Sequence, residues 1–111
     1  MTVNVKVLIE AKDAENAQTT QYTATGLRAI IDKFTATNHT AGAVNLSVNL
    51  VPSGGAAGAT NLINSAKTLA AGETYTFPEL VGQVLAAGDF ISTLASAAAS
   101  VNIRASGREI S

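Results

Sequence analysis

A chain of 111 residues is long enough for one domain with one modest core. Charged residues make up 14% of it, against ~25% in ordinary soluble domains, and the net charge is −1. The basic residues are scattered along the sequence, which argues against a nucleic-acid footprint, and the absence of cysteine excludes disulfides, thiolate catalysis and Cys-ligated metals.

Residues 2–9 place Val3, Val5, Val7 and Ile9 on one side, with Leu8 the one apolar residue on the other. A period of two predicts a strand, and residues 1–10, being terminal, are expected to form an edge strand or an arm. The same segment lacks the basic stretch, apolar run and small-residue cleavage site of a signal peptide, and no run approaches the ~20 apolar residues of a membrane span. The chain is therefore expected to work without crossing a membrane by a signal of its own. Residues 10–19 are polar and read as a loop with room for a short helical turn, and residues 18–24, Thr-rich with Tyr22, suit a short strand ended by Gly26.

Residues 27–37, rich in Ile, Phe and Thr, predict a strand. In residues 43–51, Val44, Leu46, Val48 and Leu50 alternate with Asn45, Ser47 and Asn49, the pattern of a half-buried strand. Between the two, Asn38-His39-Thr40-Ala41-Gly42 supplies turn chemistry, so the pair is expected to form a hairpin in the middle of a sheet. Pro52-Ser-Gly-Gly-Ala-Ala-Gly-Ala-Thr-Asn61 reads as an exposed, flexible loop, and residues 61–69, with Leu62, Ile63, Ala66 and Leu69, fit either a strand or a helical turn or two, the strand being preferred. An internal echo follows. Leu69-Ala-Ala-Gly-Glu73 precedes Thr74-Tyr-Thr-Phe77, and Leu85-Ala-Ala-Gly-Asp89 precedes Phe90-Ile-Ser-Thr-Leu94. In each, Leu packs, Gly turns and the acid sits beside the Gly before an aromatic-bearing strand. Pro78 and Gly82 bracket a connection, residues 96–100 a turn, and residues 101–110 close the chain as a strand.

About eight short strands without a helical stripe predict an all-β fold: a single antiparallel β-sandwich over residues 1–111, jelly-roll or immunoglobulin-like. Its outward positions are filled largely by Thr, Ser, Asn and Ala. Such a surface loses little hydration when covered, which points to docking against neighbours.

No candidate for chemistry outweighs its ordinary explanation. His39 is the one histidine and lies in a turn, with no nucleophile-elbow pattern around any serine. Asp13, Glu15 and Asp32 lack the spacing of a calcium loop and read as surface charge. Glu73 and Asp89 each have a local role beside a turn glycine, in preference to a glycosidase pair. Ser53-Gly-Gly-Ala-Ala-Gly58 lacks the Lys and the following helix of a phosphate cradle. The Asn38-His-Thr40 and Asn45-Leu-Ser47 sequons match by chance. The reading is of no enzyme, no cofactor and no metal.

A strand ending in Asn38, an alternating strand closing in Pro52-Ser-Gly-Gly55, then Leu85-Ala-Ala-Gly-Asp89-Phe-Ile-Ser92 and Val101-Asn-Ile-Arg-Ala-Ser-Gly-Arg-Glu-Ile110 form an ordered set of features. From Tyr22 onward, over about four fifths of the chain, this order resembles small all-β virion structural proteins of tailed bacteriophages, of the head-decoration, neck-collar or tail-associated type. The resemblance implies a non-enzymatic structural subunit of the virion, made in the host cytoplasm. Its partners would be copies of itself and other virion proteins, such as major capsid, neck or tail subunits, with no nucleic acid and no membrane. Capsid decoration or a collar is the first expectation; a tail or baseplate subunit, or a soluble carbohydrate-binding sandwich, is the alternative. Strands at both termini are expected to lie at sheet edges, where they could extend a neighbour's sheet. The expected assembly contacts are Val3, Val5, Val7 and Ile9, with Pro52, Gly54 and Gly55 of the loop tip.

Overall fold

The computed structural model describes residues 1–111 and is built from nine antiparallel strands in two packed sheets. They are β1 (Val3–Asp13), β2 (Thr19–Thr23), β3 (Arg28–Asn38), β4 (Val44–Val51), β5 (Leu62–Leu69), β6 (Thr74–Tyr75), β7 (Val84–Leu85), β8 (Phe90–Ala95) and β9 (Val101–Ile110). Sheet I has the order β1-β9-β3-β6, with β7 on the same free side of β3; sheet II has the order β2-β8-β4-β5. The two-residue pieces β6 and β7 are one edge strand interrupted by residues 76–83.

The pairing decides between the two expected topologies. β1 pairs with β9, β2 with β8, β3 with β6 and β7, and β4 with β5. The chain is thus one long hairpin, its tip at residues 52–61, rolled so that the strands of each arm alternate between sheets, with β6 and β7 counted as one strand. That is jelly-roll connectivity. One end of the sandwich carries residues 14–18, 39–43, 70–73 and 96–100; the other carries both termini and residues 24–27, 52–61 and 86–89.

Three expectations need correction. β3 and β4 do not form a hairpin: β3 lies in sheet I and β4 in sheet II, so residues 39–43 arch between layers. Asn38 shapes the arch, its buried side chain donating to Gly42 O and Leu69 O and accepting from Thr40 N. Second, β9 is not an edge; it sits between β1 and β3, where its inward Val101, Ile103 and Ala105 are buried. Third, residues 10–13 continue β1 rather than looping, because β9 offers ladder partners as far as Asn102.

The echoed turns are structurally equivalent. Glu73 Oε1 accepts from Ala70 N at 2.8 Å and Asp89 Oδ2 from Ala86 N at 2.9 Å, while Gly72 and Gly88 take the left-handed backbone the turn needs. Each turn clamps the end of a strand by a reciprocal pair of backbone bonds, the first with Asn38 and the second with Ala24. Leu69 and Leu85, which lead into them, are buried.

One cluster of 20 buried residues joins the sheets. Six of them are alanines, which let the layers approach closely; bulk comes from Phe34 and Phe77, whose rings meet edge-on at 5.1 Å.

Candidate docking face

The outer face of sheet I follows from the strand register. Partners across an antiparallel ladder point to the same side. Val3, Ile110 and Arg28 form one outward row; Val5, Arg108, Ile30 and Val84 form the next; Val7, Ser106 and Lys33 the third. Arg104 and Thr35 continue the face. Val5 is 86% exposed, Val84 57% and Val3 48%. Met1, also strongly exposed, precedes Val3 at this end, and the exposed Val81 adjoins Gly82, whose N–H bonds to Ile31 O on the free side of β3. Exposed apolar surface is therefore concentrated, where single scattered residues would need no explanation.

Two bulges create the face. Leu8 is an extra residue in β1 opposite β9, and Asp32 is an extra residue in β3 on the other side of β9. Between them lies Gly107, where a Cβ would stand 2.0 Å from Ile30 O and 2.9 Å from Leu8 Cδ1. The bulge at Leu8 swaps the sides of β1. Val3, Val5 and Val7 stay outside, whereas Leu8 and Ile9 both enter the core at 6% and 2% exposure. Ile9 is therefore no assembly contact, contrary to the period-two expectation.

All outer edges of the sandwich are blunted. β1 carries two register shifts, β2 one and β5 two, and the edge made by β6 and β7 is broken. In β5, Ala66 takes a left-handed backbone and its N–H bonds to Ser47 Oγ instead of a ladder carbonyl. Bulges, and charged residues such as Lys6, Glu10 and Lys12 on β1, are the devices that stop a sheet from being extended by another chain. Contact by faces is favoured over contact by edges.

Electrostatics separate the two sides of sheet I. Outside, Arg108 makes a forked pair with Asp32, Nε to Oδ2 at 3.0 Å and Nη2 to Oδ1 at 2.9 Å, which raises the guanidinium pKa above its ordinary value. Arg28, Lys33 and Arg104 are exposed and make no ion pair. Inside, at the end bearing the termini, the Tyr22 hydroxyl of sheet II donates to Glu109 of sheet I, with Lys6 Nζ 3.3 Å from the same carboxylate. The Tyr22 hydrogen bond, then Lys6, lower the Glu109 pKa; burial and the neighbouring carboxylate raise that of Tyr22.

The remaining sequence candidates disperse. Pro52, Gly54 and Gly55 are exposed at the same end as Val3, yet the loop is fastened. Gly55 N bonds to Pro52 O, Ser53 N to Asp89 Oδ1, and the buried Asn49 donates to Gly58 O and Asn61 Oδ1. The expected flexible tip is a closed knot over the outer face of sheet II. His39 is exposed in the arch and its Nε2 lies 2.9 Å from Asp13 Oδ1. Glu15 pairs with Lys12 and Gln21, Asp32 with Arg108, and no three His, Asp or Glu converge on a point. Glu73 and Asp89 sit at opposite ends of the sandwich. On sheet II a shallow groove of about 340 Å³ is lined by Asn16, Asn45, Ser47, Ala66, Leu94 and Ser96, among others.

Sequence reading missed the gathering of Arg28, Lys33, Arg104 and Arg108 on one face. Arg104 and Arg108 are legible as outward positions of β9. Arg28 and Lys33, an odd number of positions apart, share a face only because the extra residue Asp32 intervenes. No protein-family model matches the chain, and neither a curated protein nor a solved structure matches it significantly.

Proposed function

We propose that this chain is a non-enzymatic structural subunit of a tailed-phage virion, seated on the capsid or neck by the outer face of sheet I. The observation that carries the reading is the clustering of Val3, Val5 and Val84 on that face in a sandwich whose edges are all blunted. The jelly roll recurs in viral capsid proteins but also in lectins and cupins, so the fold by itself is an analogy. Outside this face the scarcity of charge favours contacts between neighbouring copies, since most of that surface is Thr, Ser, Asn and Ala and has no full charge to take out of water. Neighbouring copies would touch through the termini and the loop tip at Pro52, Gly54 and Gly55. Mass spectrometry of purified particles from the source tests the reading. It expects the chain at a fixed ratio to the major shell protein; its absence from intact particles would reject it.

A tail or baseplate seat uses the same face and is separated by where the subunit is imaged. The groove on sheet II favours one other reading, a carbohydrate-binding module, because the Asn16 and Asn45 amides flank the exposed Leu94. Binding on a glycan array that is lost in Asn45→Ala would select it.

A further inference from the structure

We infer that the surface covering the outer face of sheet I is a protein surface rich in carboxylates and set with apolar side chains; this rests on the docking reading above and names the partner's chemistry. Four of the seven basic residues, Arg28, Lys33, Arg104 and Arg108, project from this one face. Only Arg108 forms an ion pair, with Asp32; Glu10, in the β1 bulge across from Arg104, makes none with it. Covering Arg28, Lys33 and Arg104 strips water from three cations, and an uncompensated cation in an interface opposes binding strongly. The partner must therefore bring anions opposite them.

The same register selects the class of anion. Val3, Val5, Ile30, Val84 and Ile110 alternate with the cations, and a row of phosphates offers nothing to cover them. Arg104 and Arg108, four residues apart on one strand, are separated by about 13 Å, too far apart to follow successive phosphates of one strand. A second copy laid face to face would bring together two faces of the same net positive charge and supply too few carboxylates for the unpaired cations. An acidic protein surface with apolar patches satisfies both halves of the pattern, the cations setting register and the valines supplying burial.

The test uses purified particles stripped of this subunit, incubated with the full chain, the charge reversal R28E/K33E/R104E, or the milder R28Q/K33Q/R104Q. These side chains are exposed, and circular dichroism checks that each variant is folded. Binding by the reversal variant is expected to fall at least about tenfold near 0.1 M salt, with the Gln variant between, and the gap to narrow as salt rises. Carbodiimide coupling is expected to join Lys33 Nζ to an Asp or Glu of another virion protein. Unchanged binding by both folded variants overturns the carboxylate inference and leaves the docking reading standing. Undiminished particle binding with lost retention on immobilised duplex DNA assigns the cations to a polyanion and overturns it likewise. Wild-type chain that binds no particle removes the docking reading and this inference with it.

Discussion

Gly107 shows how much one missing methyl group decides. It is buried in the central strand of sheet I, where the bulges at Leu8 and Asp32 press in from both neighbours. A Cβ there meets the Ile30 carbonyl, a backbone atom that cannot rotate away. Gly107→Ala is expected to cost about 3 kcal/mol, the upper range for overpacking, seen as a lower urea midpoint. The left-handed positions give the opposite and matching sign. Ala66 holds a φ of 45°, so Ala66→Gly is expected to gain about 1 kcal/mol, whereas Gly88→Ala, at φ 90° and with Ser53 Oγ 2.4 Å from the added carbon, loses stability. Thermal melting of the pair checks both signs. Gly88 was legible as a turn glycine, but the strain at Ala66 and the crowding at Gly107 were not. A glycine inside a strand pattern suggests a bulge or close approach but does not say which neighbour comes close.

At the scale of elements, the pH response belongs to the bond between layers. Glu109 has a lowered pKa in the fold, so its contribution is present above the ordinary value of 4.5 and is lost as pH falls through the lower folded value. Tyr22 has a raised pKa, so its contribution is present below 10.0 and is lost at more alkaline pH. Stability is therefore expected to be flat across neutral pH and to fall on both sides. Tyr22→Phe reduces the alkaline loss, leaving the part due to Tyr75, whose bond to Glu79 also raises its pKa, and shrinks the acid one; urea midpoints from pH 3 to about 11 would register both. The loop at residues 52–61 depends likewise on Asn49. Asn49→Ala is expected to free Gly58 and Asn61 and to bring proteolytic cutting to this loop, with little change in the circular dichroism of the strands. Strands β1, β4 and β9 were legible from their alternation, β2 and β3 from their Thr, Ile and aromatic content, and β8 and the two acidic Gly turns from their composition; residues 61–69 fitted a strand or a helical turn alike. The arch at residues 39–43 was not, because Asn38 to Gly42 offers the same turn residues whether the chain returns in one sheet or crosses to the other.

For the whole molecule, the rolled hairpin puts the first and last strands side by side and turns Val3, Val5 and Val7 outward beside Arg108 and Ile30. Half of the candidate contact surface was thus legible in the first strand. The other half was not, since two bulges decide which of Leu8, Ile9, Asp32 and Lys33 face water. Covering the face is expected to tighten docking through burial, with each exposed valine worth on the order of 1 kcal/mol. Val5→Asp should therefore weaken particle binding without unfolding the chain, because Val5 makes no part of the core. The most direct measurement is an image of the subunit on the particle at a resolution that separates its two sheets. The account predicts that the outer face of sheet I, from Val3 to Val84, lies against the shell while sheet II faces outward. A subunit seated by sheet II, or joined to its neighbour through an unbroken ladder from β1, would contradict it.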